Sequence, residues 1–206
     1  MNNMFCFQCE QTAGCTACTG KAGVCGKPAD VANLQDKLTG ALIGLANATF
    51  GNEDKVNAET HRLTTEALFT TVTNVNFNEE TINQLLERIE NEKKRLVPLC
   101  YRCTSVCGRN DAYDMEKLWA DNEDIRSLKA LILFGIRGIA AYAYHAMVLG
   151  YTDETVNNFF YKALVAIGTE GASMDTLLPI VLETGEINLK CMGTAGQSKH
   201  RNLWQS

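Results

Sequence analysis

Val31, Leu34, Leu38, Leu42 and Leu45 recur every three or four residues until Gly51, which predicts an amphipathic helix with Asp30 as its N-cap. The same period returns in Leu63, Ala67, Leu68, Val72 and Val75, so a second helix is expected from about Asn57 to Val75. A third starts at Asn78, where Glu79 and Glu80 complement the positive helix end, and runs through Ile82, Leu85, Leu86 and Ile89 until Pro98 stops it. From Asp121 to Gly150 apolar residues lie on every side of the helical wheel, which predicts the buried centre of the fold. Thr152, Asp153 and Glu154 open another helix with Val156, Phe159, Phe160, Leu164 and Ile167 on its core face. The last pattern spans Ser173 to about Met192, and Pro179 either kinks it or marks its true start. No period-two run of useful length occurs, so the expected class is all-α: two short helical bundles with a cysteine-rich loop capping one end.

The chain has 206 residues, enough for one substantial domain, and a formal charge of -5 with no basic stripe, which argues against a nucleic-acid partner. No basic stretch, apolar run and cleavage site open the sequence, so a secretory signal is not expected. The apolar run from Leu128 to Gly150 holds Lys129, Arg137 and His145 and reads as a core helix rather than a membrane span. His145 reads as a hydrogen-bonded core residue, and Lys93, Lys94 and Arg95 as a solvated helix end.

Candidate chemistry concentrates at the start. Five of the nine cysteines fall in CFQCEQTAGCTACTGKAGVC, Cys6 to Cys25, among glycines that let the backbone wrap closely around a bound group. Without an export signal these are expected to be reduced thiols in a cytoplasm, and soft thiolate sets suit an iron–sulfur cluster or zinc. The pairs Cys6/Cys9 and Cys15/Cys18 stand closer together than the pairs of a usual zinc ribbon. Cys100, Cys103 and Cys107 have a spacing that could supply three corners of a second site, but read better as a structural loop of reduced thiols.

MFCFQCEQTAGC, GVCGKPADVANLQD, TTVTNVNF, CGRNDAYDM, IRSLKALILFGIRGIAAYAYHAMVLG and VLETGEINLKCM are similar to the N-terminal domain of the hybrid cluster proteins, also called prismane proteins or hydroxylamine reductases. The resemblance covers residues 4 to 192. It implies a cubane 4Fe–4S cluster on Cys6, Cys9, Cys18 and Cys25, with Cys15 the rival to Cys18 as third ligand, because the gap from Cys18 to Cys25 is one residue longer than the family pattern. It further implies electron relay from a redox donor protein to a hybrid iron–sulfur–oxygen cluster on later domains, where hydroxylamine is reduced to ammonia. The ligands of that hybrid cluster are not expected in this chain, so no catalytic residue is assigned here and the chain alone is expected to be inactive. Two other readings stand beside it: a free-standing iron–sulfur electron carrier or sensor, and a zinc-stabilised helical binding module.

The expected organisation is a cluster loop at residues 1–29, a helical domain at 30–192 and a tail at 193–206. The tail, GTAGQSKHRNLWQS, shows no helical period and no likeness to the family. A one-base slip in the reading frame accounts for it: with suitable synonymous codons, dropping one base turns it into ALLDKANTETYGNP, which is similar to the family's continuation. Cys191 is then a core residue, and His200 is not a ligand.

Overall fold

Helix-capping residues set the register of the fold. The computed structural model of the chain describes residues 4–9, 17–72, 75–97 and 113–203. Among them are seven α-helices: α1 (Ala29–Thr49), α2 (Ala58–Thr70), α3 (Glu79–Leu96), α4 (Met115–Ala120), α5 (Glu123–Val148), α6 (Glu154–Gly168) and α7 (Met174–Leu203). No strand occurs among the described residues, so the all-α expectation holds. Asn57, Asn78, Asp114, Asn122 and Asp153 each accept a backbone N–H from the first turn that follows, satisfying donors that have no partner inside the helix. At α2 the cap is reciprocal, because Thr60 Oγ1 accepts the Asn57 backbone N–H.

α1, α2 and α3 pack on one another, as do α5, α6 and α7, and α1 against α6 and α2 against α5 join the two groups. A single continuous apolar core runs through both.

Its centre is α1 rather than α5. Nine consecutive residues, Leu38 to Ala46, are buried, which needs neighbours on every side. Gly40, Ala41, Gly44 and Ala46 make this possible, since small side chains let flanking backbone come close. At Gly40 the approach is closest: a Cβ built there would lie 2.0 Å from the Tyr113 carbonyl oxygen, and Tyr113 N–H donates to the Gly40 carbonyl at 3.1 Å. α5, in contrast, buries one face and leaves Leu131, Tyr142, Val148 and His145 exposed. Apolar residues all round a helix therefore did not mean burial all round. α5 is long and apolar enough to cross a membrane by length and hydropathy, yet it buries Lys129 against Asp121 and Arg137 against two threonines.

Other boundaries and assignments shift for local reasons. Pro28, with φ −65° and ψ 154°, is the N-cap of α1, and Asp30 sits inside the first turn, where its carboxylate complements the helix dipole. α2 ends at Thr70 instead of Val75. His145 is exposed, with its ring edge toward Phe69, because the face of α5 that carries it points outward. Lys93 is buried and pairs with Glu90, whereas Lys94 and Arg95 are exposed, Arg95 pairing with Glu92, so the end of α3 is solvated except at Lys93. α7 passes Pro179 and Met192 without a break and continues to Leu203, so the tail is helical where no period was expected. Ala195 is buried one turn beyond the buried Cys191, whose thiol donates to the Ile139 carbonyl, and these contacts hold the extension on α5.

Candidate metal centre

Side chains alternate along residues 4–7, and the chain bends at Gln8 and Cys9. Met4 and Cys6 join Cys18 and Ala32 in a small apolar cluster, whereas Phe5 and Phe7 turn the other way onto Trp119 of α4, with ring centroids 5.4 and 5.0 Å from it. Arg126 covers Trp119 at 4.8 Å. The aromatic side pins the segment to the main core, and the sulfur side is thereby held facing inward.

Cys6 and Cys18 are directly paired through the backbone. Cys6 N–H donates to the Cys18 carbonyl at 3.1 Å and Cys18 N–H to the Cys6 carbonyl at 2.8 Å. Antiparallel partners of this kind send their side chains to the same face, with Cβ atoms ~5 Å apart. Cys25 lies in a three-residue hairpin: Gly23 N–H donates to the Lys27 carbonyl, Gly26 N–H donates to the Gly23 carbonyl, and Gly26 takes φ 85°. A Cβ added to Gly23 would stand 3.3 Å from Cys25 Sγ and 3.5 Å from Met4 Cε, so this glycine leaves the space between that sulfur and the Cys6/Cys18 cluster. α1 starts immediately afterwards, with Ala29 and Ala32 of its first turns against Cys6 and Cys18. Its positive end favours an anionic occupant there. Cys9 is half-buried in the bend that follows residues 4–7.

Cys6, Cys9, Cys18 and Cys25 are all free thiols. Among the described residues no three Cys, His, Asp or Glu side chains already surround one point. Cys6 and Cys18 share one small apolar cluster with Met4 and Ala32, and Cys25 Sγ lies beside Gly23, whose other flank is Met4. Soft donors with small neighbours fit an iron–sulfur cluster or zinc and do not fit hard cations. The rival Cys15 and the loop Cys100, Cys103 and Cys107 lie outside the described residues. His61, which hydrogen-bonds Tyr161 through Nδ1 at 2.9 Å, is on α2, away from these thiols.

The sequence reading missed the polar layer behind the sulfurs. Lys27 is fully buried and its ammonium donates to Gln8 Oε1 at 2.7 Å and to Gln35 Oε1. Gln8 Nε2 donates to Asp36 at 2.8 Å, and Gln35 Nε2 donates to the Asn76 carbonyl at 2.7 Å. Arg137, buried on α5, donates to Thr71 and Thr39. Burial pushes the Cys6 thiol above its usual range, opposed by the Gln8 backbone N–H and by the charge of Lys27. Burial likewise lowers Arg137 to about 10 against the opposing charges of Asp36 and Cys6. The available signal was a lysine placed two residues after a candidate ligand and ahead of a helix with glutamine at its core positions, a pattern that helical period alone ranks as surface.

Asp36 is raised to about 6, chiefly by burial and despite the Gln8 hydrogen bond. Its folded pKa therefore exceeds its unfolded one, and its favourable contribution, complete below the unfolded value near 3.8, is lost as pH rises through about 6. Asp36→Asn keeps an acceptor for Gln8 and removes this loss. Urea unfolding of the purified chain should show the variant gaining on the parent between pH 4.5 and 7.5 by ~2 kcal/mol. A gap that stays constant across that range would show that Asp36 is not strained by burial.

Fold and site together define an all-α domain with reduced cysteines on a loop packed at the start of its central helix. The chain belongs to the prismane/CO dehydrogenase family, whose model matches residues 4–201. It is 41% identical to a hydroxylamine reductase of Thermodesulfovibrio yellowstonii, 38% to one of Clostridium perfringens and 37% to one of Solidesulfovibrio magneticus, each over 92% of this chain. It spans 38% of the length of each of these relatives and corresponds to their N-terminal part. The family match passes the boundary expected at Met192 by several residues.

Proposed function

We propose that this chain is the electron-entry domain of a hydroxylamine-reductase-type protein, holding a 4Fe–4S cubane on Cys6, Cys9, Cys18 and Cys25. The carrying observation is the reciprocal backbone pairing of Cys6 with Cys18 inside one small apolar cluster, with Cys25 Sγ turned toward the same space across Gly23. A bound cluster would supply one-electron acceptance and donation. The chain's own part is to present the thiolates, exclude water with Met4, Ala29 and Ala32, and supply neighbouring charge. In the whole protein, electrons from a redox donor would pass to a hybrid iron–sulfur–oxygen cluster on later domains, where hydroxylamine takes up two electrons and two protons to give ammonia and water. The expected setting is a cytoplasm, where thiols stay reduced.

Those later domains also account for a surface feature. Leu178, Leu182, Leu189 and Met192 are exposed on α7 at separations that place them along one helix face, an arrangement suited to a permanent apolar partner.

Anaerobic reconstitution with iron and sulfide tests the reading. We expect about four irons and four acid-labile sulfides per chain, a brown colour bleached reversibly by one electron, and no turnover of hydroxylamine. Stoichiometric zinc without labile sulfide would overturn it in favour of a zinc-stabilised module. Hydroxylamine reduction by the pure chain would overturn the division of labour.

A further inference from the structure

Of the buried groups in this fold, Lys27 is the hardest to explain as packing. A lysine ammonium is seldom buried without a carboxylate partner, because removing it from water costs several kcal/mol. Lys129, the other fully buried lysine, obeys that rule, since it pairs with Asp121 at 2.7 Å. Lys27 instead donates to two neutral amides, Gln8 and Gln35, and lies 6.0 Å from the Phe77 ring. Both amides are fixed in turn by Asp36 and by the Asn76 carbonyl. The stem of Lys27 borders the space at Gly23 that Cys25 Sγ shares, and its charge acts on Cys6. Neutral amides hold a cation in place without cancelling it. That charge acts on Cys6 and, beyond Gln8, on the Asp36 carboxylate.

We propose that Lys27 is a positioning residue that sets the redox poise of the cluster: a fixed positive charge, oriented by Gln8 and Gln35, that favours the reduced form. The proposal rests on the iron–sulfur reading above. Adding an electron makes a thiolate-bound cluster more negative, so a nearby buried cation stabilises the reduced state, and a nearby buried anion opposes it. Asp36, half-buried on α1, is the anion of this site. It is bonded to Gln8 and raises the pKa of Cys6 through its charge, so it acts on the same site with the opposite sign.

The test is a spectroelectrochemical titration at pH 8 of the reconstituted chain, its Lys27→Met variant and its Asp36→Asn variant, with iron and sulfide content and helical circular dichroism recorded for each. Lys27→Met should lower the one-electron reduction equilibrium constant about tenfold or more, a shift of ~59 mV to more negative potential. Asp36→Asn should move the potential the other way. A purely structural lysine would alter stability or cluster content without this pair of opposite shifts. If Lys27→Met does not retain a cluster, Asp36→Asn decides alone, and a negative shift or none overturns the proposal. Equal potentials in all three, with full clusters, overturn it while leaving the iron–sulfur reading intact. A parent chain that assembles no cluster overturns both.

Discussion

Cys6→Ser and Cys18→Ser are each expected to cut cluster occupancy about tenfold or more, while Cys15→Ser leaves iron and labile sulfide near the parent level. The expectation follows from the paired backbone of Cys6 and Cys18. Because each donates its N–H to the other's carbonyl, their sulfurs leave the same face, and the loop cannot remove one without disturbing the other. A serine oxygen is a harder and less polarisable donor than a thiolate, so it is a poor substitute at a soft site. Iron and sulfide analysis of the three variants after identical reconstitution decides the matter. Loss of the cluster in Cys15→Ser with retention in Cys18→Ser would exchange the two assignments. Equal losses in both would point to a shared role for the segment rather than to a single third ligand.

Gly40→Ala should destabilise the chain by about 3 kcal/mol, at the upper end of what overpacking a tight core costs. A Cβ at this position would sit 2.0 Å from the Tyr113 carbonyl oxygen, and the obstacle is backbone, which cannot rotate aside as a flexible side-chain tip could. The displaced segment leads directly into α4, whose Trp119 carries Phe5 and Phe7 of the cysteine segment. The substitution is therefore expected to loosen the metal site as well. Urea unfolding followed by circular dichroism gives the first quantity, and iron retention after gel filtration gives the second. Gly138→Ala on α5 is the control, since a Cβ there meets nothing within 4 Å. If Gly40→Ala unfolds at the same urea concentration as that control, the close crossing does not contribute to stability.

The exposed face of α7 and the buried face of α1 show how far helical period carries. Both helices were visible in the spacing of their apolar residues, and capping residues such as Asn57, Asn78 and Asp153 fixed the starts of α2, α3 and α6 closely. Period could not rank them by depth. α5 has the more continuous apolar composition, yet α1 lies at the centre because its glycines and alanines admit backbone on all sides. The local stop signals were equally incomplete: α7 continues through its glycines to Leu203, since packing of Cys191 and Ala195 against the bundle outweighs the ~1 kcal/mol cost of each glycine in a helix.

By itself, the sequence determined the all-α class, most helix starts and the concentration of soft donors at the N-terminus, because each of these is written in short-range spacing. Cys6 and Cys18 stand twelve positions apart in the chain, and only the tertiary structure pairs them. It likewise decided that Gln8, Lys27, Gln35, Asp36 and Arg137, drawn from the loop, α1 and α5, form one polar layer behind the sulfurs. The physical reason is that burial and electrostatic coupling are properties of distance in space. A lysine that looks like an ordinary surface residue in the chain becomes a buried charge once the hairpin of residues 23–27 folds it against the first turns of α1.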